Sequence, residues 1–427
     1  MSVFRIEGGS KLEGTVAPRG NKNEALPALA AALLTEDEVI IDNVPRIQDI
    51  DTMLELVRGV GALAEWTAAH QVTIRARSVA HAPDPALCGR IRGSFLLAAP
   101  LIARSGRALL PSPGGDKIGR RRLDPHLAAL SAMGVSWRLE GTLLDMSIRS
   151  AGLSGAMIEL DEPGVTATEN ALMLAACIPQ ETVIYPAACE PHVQGVCRML
   201  TAMGAGIAGI GTNRLVVLGC SPLHGCRHAL SPDHVEIGSF VGLAAATRSR
   251  ITVHPIDPAA LAPVLRPFRR LGMSLKTNAD SLYCDASERL VVEQELGGAV
   301  PVLDDGPWPA VPADIMSLVV VAATQAVGTV LVFEKMFESR LFWVDRLIAM
   351  GANVILCDPH RVVVVGPARL RGTTVASPDI RAGMALVIAA LAAEGGSVIQ
   401  NIAQIDRGYE RIEERLGALG AAIRREE

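Results

Sequence analysis

The chain has 427 residues, 49% of them hydrophobic and 20% charged, with a formal net charge of −5 at pH 7. That is enough apolar material for two cores, and length alone predicts two or three domains. The charge balance gives no basis for binding nucleic acid or a membrane surface.

Aromatic residues make up only 3%, so the cores must be built from Ala, Leu, Val and Ile. The opening segment, MSVFRIEGGSKLEG, lacks the apolar stretch of a signal peptide, and a cytoplasmic protein is expected. In chain order, the first predicted helical run ends in GVGAL at Gly61. The same hydrophobic–Gly–hydrophobic stop returns at Gly134, Gly204, Gly272, Gly351 and Gly420, at intervals of 68–79 residues. Glycine stops a helix there because it accepts positive φ, and an apolar strand follows.

Each repeat carries a second, more apolar helix. Its copies are NEALPALAAALL, RGSFLLAAPLIA, TATENALMLAAC, EIGSFVGLAAAT, DIMSLVVVAATQA and DIRAGMALVIAALA. Each leads through a turn into a β-rich run such as EVIIDNV, ETVIYPA or SVIQNIA. The repeated unit reads as βαβαββ, and six copies predict two α/β domains of three units each. The longest apolar run, about 316–333, contains Thr, Gln and Gly and is bracketed by Asp314 and Glu334. It predicts a buried helix followed by a strand, not a membrane span.

Charged residues gather at the predicted helix starts. Lys22 and Asn23, Arg92, the segment Thr168–Asn170, Glu236, Asp314, and Asp379 with Arg381 begin second helices. Asp124 with His126, Glu190, Arg340, and Asp406 with Arg407 fall at or near the starts of first helices. Acids there serve as ordinary caps, and Asp124, Glu190 and Asp233 taken singly read that way. Cations there oppose the helix dipole, so Lys22, Arg92, Arg340, Arg381 and Arg407 need another reason. A shared anion would supply it. The stretch LLPSPGGDKIGRRRLDPH, 109–126, adds one carboxylate, Asp116, on a glycine hinge beside three arginines. It is no phosphate-binding P-loop, because it lacks the GK[ST] ending. Eight cysteines and nine histidines show no metal-ligand spacing, so no metal and no cofactor is expected. The thiols should be small buried hydrophobes.

Several of these segments together resemble the enolpyruvyl transferase family: GNKNEALP (20–27), RIRGS (90–94), PGGDKIGRRRLDPH (113–126), TATEN (166–170), EP (190–191), PADIMS (312–317), FESR (337–340), DIRAG (379–383) and IDRGYERIEE (405–414). The resemblance covers essentially the whole chain. It implies two inside-out α/β domains, each of three βαβαββ units with helices inside and sheets outside, and a substrate cleft between them. One domain would span 22–231 and carry the mobile PGGDKIG loop; 1–21 would join 232–427 in the other, the chain crossing twice.

The activity implied is transfer of enolpyruvyl from phosphoenolpyruvate to the 3′-hydroxyl of UDP-N-acetylglucosamine, with release of phosphate, an early step of peptidoglycan synthesis. The alternative is the same transfer to a different nucleotide or sugar hydroxyl. By the same resemblance, Lys22, Arg92, Arg121, Arg340, Arg381 and Arg407 clamp the phosphoenolpyruvate. Asp116 supplies the proton for its methylene carbon, and Asp314 takes the hydroxyl proton, with Lys22 and Arg407 completing the catalytic set. The nucleotide sugar would meet Asn23, Arg92, Arg121, Asp124, His126, Gly164, Val165, Glu190, Asp233, Asp314, Phe337 and Asp379. Asp406 would orient Arg407. Partners are small-molecule substrates only, with a monomer or weak homo-oligomer expected.

This sequence departs from the family pattern at a few places. The family's commonest form has cysteine where Asp116 stands; members with aspartate resist the epoxide fosfomycin. The usual F-P-S-V-G-A-T-E-N reads Glu162, Pro163, Gly164, Val165, Thr166, Ala167, Thr168 here. Arg122 replaces a proline, His234 an arginine, and Glu24 the alanine of G-A-K-N-A.

Overall fold

The computed structural model describes residues 2–116 and 118–427; Lys117, in the PGGDKIG loop, lies outside the described residues. The chain divides into two compact units, each with its own apolar core. A terminal unit takes the chain up to Arg19, a short piece ending at Arg120, and Pro232–Glu427; an inserted unit takes Gly20–Asp116 and Arg121–Ser231.

Both units place their most apolar helices at the centre. In the terminal unit these are His234–Thr247, Met316–Ala323 and Ile380–Ala392, which pack against one another. Every residue of the first two is buried. A helix can be buried on all sides only if it is apolar on all sides, and these sequences are. In the inserted unit the corresponding helices are Lys22–Ala31, Ala98–Ser105 and Val165–Ala175.

Sheets surround the helices. The terminal unit has three four-stranded sheets and the inserted unit two four-stranded sheets and one of three strands. Within each four-stranded sheet an antiparallel set accepts one parallel strand from elsewhere in the chain, as when Glu13–Val16 pairs with Arg250–Val253. The first strand, Val3–Glu7, lies between Gly396–Gln400 and Ala422–Glu426. Its alternation is that of a half-buried strand: Phe4 and Ile6 face the core, Arg5 and Glu7 face outward. The segment 316–333 forms the expected buried helix, Met316–Ala323, and strand, Gly328–Phe333.

The six repeat glycines all take positive φ, from 89° to 112°. Gly272 shows why no other residue serves, since a Cβ there would lie 2.5 Å from the Val291 carbonyl oxygen.

Two expectations need correction. Arg340 and Arg407 do not start helices. Arg340 lies in the turn before Val344–Ala349, and Arg407 follows the one-turn helix Ala403–Asp406. A cation after a helix end accords with the dipole rather than opposing it. The thiols are not uniformly buried either: Cys88, Cys197 and Cys284 are, four are half-buried and Cys357 is exposed. The half-buried ones, Cys177, Cys189, Cys220 and Cys226, all lie in turns or loops.

Leu318 is fully buried in its central helix, whereas Leu63 is 68% exposed on an outer strand. Leu318→Ala should cost about 2–5 kcal/mol and Leu63→Ala under about 0.5 kcal/mol, read from urea unfolding of the full chain.

Candidate active site

The terminal unit brings an acid and two arginines together. Asp314 lies in the 3₁₀ turn Ala313–Ile315 that leads into Met316–Ala323. Arg340 donates from Nη2 to Asp314 Oδ1 at 2.9 Å. Arg381 donates from Nη2 and Nε to Oδ2 at 3.1 and 3.3 Å. Both arginines are 6% exposed, whereas the Asp314 side chain keeps 28% of its surface open. The result is one accessible carboxylate gripped from behind by two buried cations.

The arginines are themselves held. Arg381 Nη1 donates to Tyr409 Oη at 3.3 Å, and that hydroxyl pairs with Ser239 Oγ at 2.8 Å. The Arg340 guanidinium lies 4.9 Å from the Phe337 ring centroid, a cation–π contact. Burial works against the charge on each, but the neighbouring groups together, Asp314 foremost, raise both guanidiniums above their ordinary range; Asp379 adds to this at Arg340, and Tyr409 and Asp233 at Arg381.

Asp379 and Asp233 act as helix caps. Asp379 accepts the N–H groups of Arg381 and Ala382 at 2.8 and 2.9 Å, and Asp233 those of Val235 and Glu236 at 2.8 and 3.3 Å. Capping by Asp379 fixes the first turn from which Arg381 projects. Arg407 donates to Gln404 Oε1 at 2.9 Å. Asp406 accepts from Arg425 on both oxygens, at 2.7 and 2.9 Å, which anchors the last strand. The piece Ile118–Arg120 is also held in this unit: Ser339 N–H donates to the Ile118 carbonyl, and Arg120 N–H to Glu338 Oε2.

The inserted unit holds the other candidates. Asn21 caps the helix Lys22–Ala31 by accepting from the N–H groups of Asn23 and Glu24. Lys22, at its start, pairs with Asp49 at 3.1 Å, which offsets the unfavourable dipole. Arg92 begins a 3₁₀ turn and donates to the carbonyls of Arg121 and Arg122 at 2.9 and 3.3 Å. Burial, then the charge of Arg121, pulls the Arg92 guanidinium down to about 10. Arg122 turns instead to Asp124 at 3.1 Å and Asp161 at 3.8 Å. Asp116 is half-buried.

His126 is the best-defined residue of this group. Asn170 Nδ2 donates to the Phe95 carbonyl and Asn170 Oδ1 accepts from Ala99 N–H, which fixes the amide. The same Nδ2 therefore faces His126 Nδ1 as a donor, at 3.0 Å. The imidazole proton must then sit on Nε2, which faces Thr166 Oγ1 at 3.0 Å. Burial, and then the charge of Arg92, pushes His126 down to about 3. Thr166 lies in the first turn of Val165–Ala175, where Gly164 occupies the cap position. Glu190 stands at the cap position of Pro191–Ala202.

Some residues escaped the sequence reading. Glu24 is fully buried; it pairs with His228 at 2.9 Å and accepts the Ser231 N–H at 3.1 Å. Burial, with Glu190 and Glu24 adding, pushes the Glu169 carboxyl well above its ordinary range. Glu334 and Asp305 are buried in the terminal unit. The available signal was an acid set among apolar residues, as in NEALPALA and VLVFEK.

The model of the EPSP synthase (3-phosphoshikimate 1-carboxyvinyltransferase) family matches residues 6–416. The chain belongs to that family and is an enolpyruvyl (carboxyvinyl) transferase. It is 52% identical, over 99% of its length and 97% of the relative's, to UDP-N-acetylglucosamine 1-carboxyvinyltransferase of Bradyrhizobium diazoefficiens. It is 46% identical to the protein of the same name from Treponema pallidum, with both chains fully covered. Among solved structures, the enolpyruvyl transferase NikO from Streptomyces tendae matches with TM-score 0.88 and 26% identity, over 99% of this chain and 98% of that one. EPSP synthase from Acinetobacter baumannii shares the fold, with TM-score 0.76 at 17% identity over the whole of both chains. Among the described residues no helix is long and apolar enough to cross a membrane, and no cluster of His, Cys, Asp and Glu fit for a metal occurs.

The neutral, buried His126 has a thermodynamic consequence. Between pH 6.5 and about 3 the unfolded chain binds a proton at this position and the folded chain does not. Stability due to His126 is complete above pH 6.5 and falls with acid, by up to about 1.4 kcal/mol per pH unit. His126→Gln should flatten that part of the stability–pH curve, measured by urea unfolding between pH 7 and 4.

Proposed function

We propose that the chain transfers the enolpyruvyl group of phosphoenolpyruvate to the 3′-hydroxyl of UDP-N-acetylglucosamine and releases phosphate. The observation that carries this reading is full-length likeness to relatives named for that transfer, at up to 52% identity. That likeness does not favour transfer to another acceptor. The product would enter peptidoglycan synthesis, and so cell shape and division, from the cytoplasm. A monomer or weak homo-oligomer suffices for it.

The residue roles follow from the chemistry. Asp314, open on one side and backed by two cations, suits the acceptance of a hydroxyl proton as the oxygen attacks. Its ionised state is compensated by Arg340 and Arg381, which would also hold the carboxylate and phosphate of phosphoenolpyruvate, together with Lys22, Arg92, Arg121 and Arg407. Asp116, on the glycine hinge, would protonate the methylene carbon. Asn23, Asp124, His126, Gly164, Val165, Glu190, Asp233, Phe337 and Asp379 are assigned to the nucleotide sugar. His126 is neutral there, so it would meet that ligand as a hydrogen-bonding and stacking group, not as a cation.

Two measurements test these assignments. Phosphate should be released from phosphoenolpyruvate only when UDP-N-acetylglucosamine is present, with the nucleotide gaining the mass of one enolpyruvyl group. Asp314→Asn should lower kcat about a hundred- to ten-thousand-fold in a chain that still folds. Release without this acceptor, or none with it, would overturn the acceptor assignment. Fosfomycin gives the second test. A thiolate opens the epoxide readily and a carboxylate is a poor nucleophile, so the protein should be insensitive. Asp116→Cys should acquire time-dependent inactivation that phosphoenolpyruvate slows.

A further inference from the structure

One buried acid stands beside the candidate machinery without a place in it. Glu334 closes the strand Gly328–Phe333 and is fully buried. Its backbone is fixed from both sides by His360. Glu334 N–H donates to the His360 carbonyl at 2.8 Å, and the Glu334 carbonyl faces His360 Nδ1 at 2.7 Å. Neither carboxyl oxygen has a hydrogen-bond partner among the described residues. The nearest cationic atom is Nε of Arg340, 3.8 Å away and likewise without a partner.

The groups facing Glu334 come from three elements. Arg340 comes from the turn after the strand, Asp314 from the turn opening the central helix, and Asp305 from the end of Val302–Asp304. Asp305 is 3% exposed and accepts the backbone N–H groups of Lys335 and Met336, the two residues after Glu334. Glu334 thus faces Asp305 and Asp314 as well as the Arg340 guanidinium, which already donates through Nη2 to Asp314.

We propose that Glu334 is a positioning residue for the transfer reaction: a neutral acid that leaves the charge of Arg340 to Asp314 and the anionic substrate. This rests on the reading of Arg340 and Asp314 given above. A carboxyl that is fully buried, without a hydrogen-bond partner and beside two other carboxyls, takes up a charge only at high cost. Burial pushes the Glu334 carboxyl up to about 10; Arg340 opposes that, and Asp305 and Asp314 add to it. If Glu334 ionised, its charge would draw the Arg340 Nε across the remaining gap and compete with Asp314 for the guanidinium.

The test uses the full-length chain with glutamate side-chain carboxyls labelled with 13C. At pH 7 the glutamate signals with the shift of a protonated carboxyl should include one that is missing in Glu334→Gln, while that of Glu169, raised by its own burial, stays. In kinetics, Glu334→Gln should keep kcat/KM for phosphoenolpyruvate within about threefold of the parent at pH 7. It should also lack the rise in KM that the parent shows as Glu334 ionises in alkali. Asp305→Asn removes the neighbour that holds the proton on Glu334, so that rise should move to lower pH. An ionised Glu334 signal at pH 7 would overturn the proposal. So would a loss in Glu334→Gln as large as in Glu334→Ala, with the pH profile unchanged. If Glu334→Gln fails to fold, the shift in Asp305→Asn decides. If UDP-N-acetylglucosamine supports no turnover, the acceptor reading fails alone, because the carboxyl signal is read without turnover.

Discussion

The terminal unit depends on a carboxylate placed between two buried cations. Arg340 and Arg381 retain charge inside the protein because Asp314 lies within 2.9–3.3 Å of both. Taking a guanidinium out of water is costly, and removing the acid would strand two of them, with a penalty of about 3–5 kcal/mol for a broken buried pair. Much of the surrounding architecture follows from this arrangement. Asp379 caps the helix that carries Arg381, Tyr409, itself paired with Ser239, accepts from Arg381 Nη1, and Phe337 covers Arg340. The strand ending at Phe333 delivers Glu334 to the far side of the same guanidinium.

Such an arrangement suits an anionic substrate for a simple reason. The cations are already desolvated, so a carboxylate or phosphate entering the site need not strip water from them. Their geometry is held by the helices and not by the ligand. The Asp314 side chain itself keeps 28% of its surface open. The inserted unit uses a different device. Its His126 is kept neutral by burial and held in one tautomer by a fixed amide, and its cations Lys22 and Arg92 are tied to Asp49 and to backbone carbonyls. One unit offers bare charge; the other offers oriented hydrogen bonds beside tethered charge.

The repeats were legible because a helix stop at glycine and an apolar helix leave local marks that no distant contact can erase. The six stops appear in the structure as six glycines of positive φ. The burial of the second helices was equally plain, since residues such as those of MSLVVVAA leave no polar face to turn outward. The reading failed where a residue's task depends on a partner far away in sequence. Arg340 and Arg407 looked like helix starts, but turns carry them. Asp406 holds Arg425, 19 residues on, a pairing that no local pattern marks.

The sequence by itself determined the six-fold α/β repeat, the inward helices and the set of charged residues available for chemistry. Those properties are set by periodicity, by glycine's backbone freedom and by side-chain type, which act over a few residues. Only the tertiary structure decided which charges are paired. It set Asp314 between arginines 26 and 67 residues away, and gave His126 its tautomer through Asn170, 44 residues on. It also packed Glu334 against Asp305 in a space closed to water. Protonation and pairing depend on burial and on distances between remote segments, and no local pattern encodes either.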